Sequence, residues 1–451
     1  MVLELHSEFI AEMRAMLKEE YPDFAACMHQ SHLRGIRINT LKFRAEDTGL
    51  LNLPIRKCPF SDVGYYLDSN ETGIGNSPWH HAGAIYSQEP SAMSAVTVLD
   101  PQPGDKILDM CAAPGGKTTQ IAAALEGKGL LWSNEYIRKR AQILLSNVER
   151  MGIRNCVVSN AHPDAIAQKL KGFFNRVLVD APCSGEGMFR RDERAVEEWS
   201  PEHSAACAVR QSAILDSAAE CLCDGGILVY STCTFSFCEN EDTVAAFLDR
   251  HPDFILEPCR VPFGRDGFDR SEKYDLTLTR RVFPMDGGEG HFVARFKKLG
   301  DSHNTGVVCM KSKHTDDEKR AAELFTDCFH AIPYGPVIRI GENCFILPEL
   351  MPDVGGLGIL RGGVLLGEIK KKRIEPSHAL FMAAQADECS ALVSLQPDSA
   401  NLAAFLHGEE ISVDESLKGY AAVACRNTIT GFGKCSYGRL KNRYPKGLRN
   451  V

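Results

Sequence analysis

Long apolar runs are missing from this 451-residue chain. No stretch approaches the roughly 18 consecutive apolar residues that a membrane-spanning helix needs. Paired cysteine spacing is missing as well: the 17 cysteines are an odd number, scattered from Cys27 to Cys435. That excludes a secreted disulfide scaffold, and the charged, amphipathic start MVLELHSEFIAEMRAMLKEE argues against a signal peptide. The expectation is a reduced, cytoplasmic protein. An excess of positive charge is also lacking, since 51 Lys and Arg face 59 Asp and Glu for a formal charge of −8, which excludes a uniformly basic nucleic-acid coat. No His/Cys group has metal-ligand spacing: Cys221 and Cys223 are too close, His80 and His81 adjoin, and the other histidines are dispersed. Metal catalysis is therefore not expected. Internal repeats and low-complexity tracts are absent.

What is present begins with periodicity. Phe9, Met13, Met16 and Leu17 have helical spacing, and residues 35–41, GIRINTL, alternate as a strand does. From about Tyr86 to Lys298 the pattern repeats strand, loop, helix. The apolar runs KILDM, LLWSNE, CVVSN, RVLVDAP, GILVYSTC and HFVARF predict an open, mostly parallel sheet covered on both faces, with ligands at the carboxyl ends of its strands. Residues 299–318 are polar and aperiodic and read as a linker. Beyond them, 355–375 reads as short strands with glycine turns and carries Lys370, Lys371, Lys372 and Arg373. The last 26 residues hold Arg426, Lys434, Arg439, Lys441, Arg443, Lys446 and Arg449 with no acid, interleaved with Phe432, Tyr437 and Tyr444. A charge run is most often a solvated face, but aromatic interleaving favours RNA, because bases stack on rings while cations hold phosphates.

The segment from Lys106 to Thr119, KILDMCAAPGGKTT, runs from a strand through small residues into a helix. Such a turn lets the backbone approach a ligand, with exposed amides at the helix start. A phosphate-cradling loop would need glycine where Cys111 stands, and the dinucleotide fingerprint G-x-G-x-x-G is absent. Glu135 ends the second strand, 26 positions after Asp109. A carboxylate there accepts from both hydroxyls of a ribose. A ribose-bearing ligand without pyrophosphate, such as S-adenosylmethionine, suits this loop. Two further strands end in a cysteine, Cys183 in VDAPCSGEG and Cys233 in YSTCTFSF. A free thiol ionises at about 8.5 and is a strong nucleophile once ionised, with Lys117, Arg190 and Arg191 as candidate activating cations. Asp180, on the strand end that bears Cys183, is placed to bond a base edge.

Taken together, DMCAAPGGKTTQ, NEY, VDAPCSGEGMFRRD and YSTCTFSFCENE resemble the NOP/Sun family of RNA cytosine-C5 methyltransferases. GIRINTLK, AGAIYSQEPSAM, GEIKKKRIEPSHAL and GRLKNRYPKGLR are similar to its bacterial RsmF-type branch, whose members modify small-subunit ribosomal RNA and carry a C-terminal PUA-like RNA-binding domain. The resemblance implies an α/β, Rossmann-like class I methyltransferase core with a mixed, mostly parallel sheet, an N-terminal α+β extension and a PUA-like β-rich domain. The expected division is 1–85, an RNA-binding extension; 86–298, the S-adenosylmethionine-dependent core; 299–318, the linker; 319–380, a region before the PUA-like domain; and 381–451, the PUA-like domain. By the family pattern Cys233 is the thiolate that adds to C6 of cytosine, Cys183 assists breakdown of the adduct, and Asp180 holds the base edge. Cys111, Ala112, Ala113, Pro114, Gly115, Gly116, Lys117, Glu135 and Asp180 would surround the cofactor, with Asn160, His162 or Asp164 toward the adenine. Lys370, Lys371, Lys372, Arg373, Arg439, Lys441, Arg443 and Lys446 would contact RNA. The implied substrate is 16S ribosomal RNA, with transfer RNA or an inactive RNA-binding homologue as alternatives. No membrane or metal is expected, and the protein is expected to be a monomer.

Overall fold

The computed structural model describes residues 5–68, 70–301, 308–371 and 373–450; Lys372 and positions 302–307 of the expected linker lie outside them. Among the described residues no helix is long and apolar enough to cross a membrane. Six strands form the heart of the largest sheet: Lys106–Asp109, Leu130–Asn134, Cys156–Ser159, Phe174–Asp180, Leu222–Thr232 and His291–Lys298, called first to sixth below. Across the sheet they stand in the order third, second, first, fourth, fifth, sixth. The first five are parallel and the sixth runs antiparallel to the fifth. The chain thus steps outward from the first strand and returns beside it at the fourth, which leaves a crevice at the carboxyl ends of those two strands.

The apolar runs form strands because helices cover both faces of the sheet, so an unbroken hydrophobic stretch is buried throughout. Every residue of Leu130–Asn134 is buried. Each large apolar side chain so enclosed contributes roughly 1.5–3 kcal/mol, which makes the inner strands a rigid base for the loops at their ends. One edge holds a strand that falls within the short strands expected over 355–375 but whose place in the core sheet periodicity did not predict. Ile359–Gly362, which follows the linker, pairs antiparallel with the third strand, so the C-terminal half of the chain completes the core sheet.

The flanking parts pack on this core. The helix Ser7–Leu17 buries Phe9, Met13, Met16 and Leu17 as its spacing predicts, and Phe9 meets Phe189 at 5.0 Å and Trp199 at 5.7 Å between ring centres. Phe24 meets Phe235, two residues past Cys233, at 5.5 Å. The N-terminal helices therefore brace the loops that follow the fourth and fifth strands. Arg34–Ile38 lies between Gly64–Leu67 and Ile85–Ser87 in an antiparallel sheet. From that sheet the buried Arg37 guanidinium donates to the Gly116 carbonyl at 3.2 Å and to the Thr119 hydroxyl at 2.5 Å, tying the extension to the glycine loop.

Two further sheets follow. Val337–Ile340, Asn343–Ile346, Val364–Lys370 and Arg373–Pro376 form one, and Leu392–Leu395, Ile411–Ser412, Gly419–Cys425, Thr428–Ser436 and Arg439–Asn442 form the other. The last sheet is not a detached bead. Leu402, Phe405 and Val423 share one hydrophobic cluster with Ile36, Ile38 and Trp79, and the His81 ring lies 2.7 Å from both the Tyr444 hydroxyl and the Asn450 side-chain oxygen.

Candidate active site

A cleft of about 770 Å³ opens at the carboxyl ends of the strands, lined among others by Met110, Cys111, Ala113, Glu135, Asp180, Cys183 and Cys233. The glycine loop forms one wall. Gly115 has φ 114°, a conformation L side chains avoid, and a Cβ there would meet Leu144 at 3.2 Å. The helix beginning at Gly116 presents Lys117, whose Nζ lies 2.7 Å from Asp180 Oδ2. The Ser231 hydroxyl donates to the other Asp180 oxygen at 2.8 Å. Burial alone would raise the Asp180 carboxyl; Lys117 above all outweighs it and holds it below the ordinary value, as an anion. Beneath the loop, the fully buried Asp109 accepts from the Thr118 hydroxyl at 2.7 Å, its other oxygen has no partner, and burial pushes its carboxyl up to about 7.

The two loop cysteines meet. Cys183 Sγ and Cys233 Sγ are 3.3 Å apart, and the Cys233 amide donates to the Cys183 sulfur at 3.4 Å. Its hydrogen bond with Cys233 first and burial second push the Cys183 thiol far up, so Cys183 keeps its proton. Two buried carboxylates clamp the loops. Glu239 accepts from the Ser184 amide at 3.0 Å, the Ser184 hydroxyl at 2.5 Å and Gln211 at 2.8 Å, while the Tyr230 hydroxyl donates to its carbonyl at 2.6 Å. Glu186 accepts from Trp199 Nε1 at 2.8 Å and the Phe235 amide at 2.7 Å. Burial raises both carboxyls. The Ser184 and Thr234 hydroxyls, each next to one cysteine, are 2.8 Å apart. These clamps fix the sulfur positions, and the residue reading missed both glutamates although they stand inside the quoted motifs.

On the other side of the cleft Glu135 is 5% exposed; one oxygen accepts from the Ile137 amide at 2.8 Å and the other faces Arg140 at 3.5 Å. Tyr136, 64% exposed, and Pro163, Ile137 and Ile214 give apolar walls.

With this arrangement in view, the whole chain matches known proteins. Family profiles match residues 5–90 (N-terminal domain of 16S rRNA methyltransferase RsmF), 96–297 (16S rRNA methyltransferase RsmB/F), 322–383 (RsmF rRNA methyltransferase first C-terminal domain) and 393–450 (methyltransferase RsmF PUA domain). The ribosomal RNA small subunit methyltransferase F of Vibrio vulnificus is 31% identical over 468 residues, covering 98% of this chain and 97% of that one. The protein of the same name from Vibrio cholerae is 32% identical over 475 residues, covering 99% and 98%. The chain belongs to the RsmF family. A solved methyltransferase homologue from Pyrococcus horikoshii, 28% identical, superposes with a TM-score of 0.55 and covers 65% of this chain and 100% of itself. The Rossmann-like core, the N-terminal domain and the PUA domain expected from the sequence are therefore shown.

In this RsmF-family fold the structure brings Cys111, Ala113, Glu135, Asp180, Cys183 and Cys233 to one cleft. Asn160 stands apart from it. Its amide donates to the carbonyls of Glu135 at 2.8 Å and Tyr136 at 2.7 Å, which spends its donors on the turn after the second strand, whereas His162 and Asp164 line the cleft. Arg190 is committed to Glu289 at 2.7 Å, so Lys117 is the cation beside Asp180. Lys370, Lys371, Arg373, Arg439, Lys441, Arg443 and Lys446 are all exposed; Lys370 pairs with Glu368, Arg373 with Glu375 and Arg439 with Glu410. The aromatic interleaving has a different meaning from the one expected. Phe432 is buried and stacked on Phe381 at 4.4 Å, and Tyr444 is buried; only Tyr437, 98% exposed at a turn, is free for a base. Among the described residues no group of His, Cys, Asp and Glu could hold a metal ion.

Proposed function

We propose that this chain transfers a methyl group from S-adenosylmethionine to C5 of a cytosine in 16S ribosomal RNA through a transient bond between Cys233 and C6. The observation that carries the reading is the pair of sulfurs 3.3 Å apart on the floor of a cleft that also holds a buried carboxylate and a glycine loop. The names of the relatives, which act on small-subunit ribosomal RNA, support the substrate class.

The cleft fits the cofactor. Glu135 is a buried acceptor suited to two ribose hydroxyls, Tyr136 and Ile214 suit an adenine face, and the small-residue stretch at Cys111 and Ala113 suits the remaining chain. When bound, the cofactor supplies an electrophilic methyl group. The residues do the rest. Cys233 adds to C6, the displaced electron pair spreads over the N3 and O2 side of the ring, and C5 becomes nucleophilic. Asp180, kept anionic by Lys117, accepts from the exocyclic amino group of the base. After methyl transfer the C5 proton passes to water, its bonding pair forms the C5–C6 double bond, and the C6–S bond breaks to release Cys233 as a thiolate. Cys183, held as a thiol against Cys233, is the partner in that release.

In the division 1–85, 86–298, 299–318, 319–380 and 381–451 expected above, RNA is gripped away from the cleft by the first part and the last two. Lys434 faces Lys441 directly across two strands, and Tyr420 faces Lys434 on the other side. Like charges opposite one another destabilise a sheet, and no ion pair offsets Lys434, Lys441 or Arg443 among the described residues, which suits a polyanion. Labelled S-adenosylmethionine with small-subunit ribosomal RNA tests the activity, and bisulfite sequencing locates the product. Failure of any methyl group to move would refute it.

A further inference from the structure

Apart from a weak contact with the adjoining Gly290 carbonyl, neither ring nitrogen of His291 has a hydrogen-bond partner, although the residue is only 3% exposed. A buried polar group left unpaired is destabilising, and such a group calls for an explanation. Packing alone would be better served by an apolar ring. His291 is not itself among the residues lining the cleft, but its strand placement sets it beside them. His291 opens the sixth strand, whose register sets Phe292 opposite Thr232 and Val293 opposite Ser231. Opposite residues of an antiparallel ladder share a face, as do residues two apart on one strand. His291 therefore lies on the face of Ser231 and Asp180, which are themselves paired, and at the level of Cys233. There the strands part around Gly187, where a Cβ would meet the Gly290 and Cys233 carbonyls at 2.8 and 2.9 Å.

The charged groups facing the ring are Lys117 and Asp180. Burial first and Lys117 second push the imidazole down to about 3, Asp180 opposes them, and the Gly290 carbonyl has the weakest influence. At neutral pH the ring is uncharged, with one N–H donor and one acceptor nitrogen.

We infer that His291 contacts the target cytosine, its neutral imidazole donating an N–H to the O2 and N3 edge on which negative charge grows as Cys233 adds at C6. Asp180 is an acceptor and suits the amino group, and Lys117 is committed to Asp180. The remaining edge needs a donor that places no second positive charge beside Lys117. A neutral histidine is such a donor, and the same device polarises carbonyls in other enzymes. A preorganised donor at a developing oxyanion contributes roughly 100- to 1,000-fold in rate.

This inference rests on the proposed reaction, and the test separates the two. Full-length wild type, His291→Phe and His291→Gln are given labelled S-adenosylmethionine and small-subunit ribosomal RNA in single turnovers, with cofactor affinity and thermal midpoint measured alongside. No transfer by the wild type would sink the reaction and this inference with it. Given wild-type transfer, His291→Phe is expected to be slowed roughly 100-fold, His291→Gln, which keeps an N–H, about tenfold, and both to bind the cofactor within about twofold of wild type. Wild-type rate in His291→Phe, equal rates in the two variants, or loss of folding or cofactor binding in both would overturn it.

Discussion

Lys117→Met isolates the ion pair at the centre of the cleft. Lys117 is 9% exposed and its ammonium lies 2.7 Å from Asp180, whose side chain is 30% exposed toward the cleft. Removing one partner of a buried pair costs about 3–5 kcal/mol. Water reaches Asp180 through the cleft and screens part of that, so about 1–3 kcal/mol is expected here. At about 1.4 kcal/mol per unit, this raises the Asp180 carboxyl by roughly 1–2 units. The sign follows from the wild type, where the folded carboxyl lies below its unfolded value. It contributes stability above the unfolded value and loses it as pH falls through the folded one; the variant forfeits that contribution. Because the anion is the form that accepts from the base, the acid limb of kcat/KM for methyl transfer should move up by the same roughly 1–2 units. The assay is the pH profile from 4 to 8 with cofactor and RNA near their KM values. An unmoved acid limb in a folded variant would refute the electrostatic role given to Lys117.

Asp109→Asn removes a buried group whose carboxyl is raised to about 7. The wild type is stabilised by it below the unfolded value near 3.8 and loses that stability as pH rises through 7; the variant should show a flatter pH dependence of its unfolding midpoint between those limits, and an unchanged slope would contradict the assignment. Glu135→Gln should weaken S-adenosylmethionine binding by calorimetry roughly 10- to 100-fold through loss of an ionised acceptor, while RNA affinity stays constant. Replacing Lys434, Lys441 and Arg443 together by Gln should reduce the slope of log affinity for RNA against log salt by up to about 2–3, with cofactor affinity unchanged; equal loss of both would argue against separate roles.

The core was legible because its strands are unbroken apolar runs that only a doubly covered sheet explains, and because chemistry in such sheets gathers at strand ends. Cys183, Cys233, Asp180 and Glu135 all came from that rule, although which cysteine attacks came from family resemblance. What stayed hidden shares a pattern with something else. Ile359–Gly362 is a short edge strand between glycines, and nothing in its residues names the third core strand as its partner. Phe432 and Tyr444 alternate with cations as stacking rings would, but the same spacing fills the core of a small sheet. Asn160 is polar and follows a strand, as a ligand contact does, yet it serves its own turn. Glu239 and Glu186 act through buried hydrogen bonds to loops far away in sequence, and His291 hides at the start of a strand run, followed at once by Phe292, Val293 and Ala294.

The covalent step is best tested by denaturing electrophoresis of Cys183→Ser and Cys233→Ser after incubation with S-adenosylmethionine and labelled small-subunit ribosomal RNA. A thiol poised for release at one sulfur and attack at the other predicts that Cys183→Ser accumulates an RNA-linked band that survives denaturant, whereas Cys233→Ser forms none and transfers no methyl group. A stable band from Cys233→Ser, or methylation by it, would contradict the account.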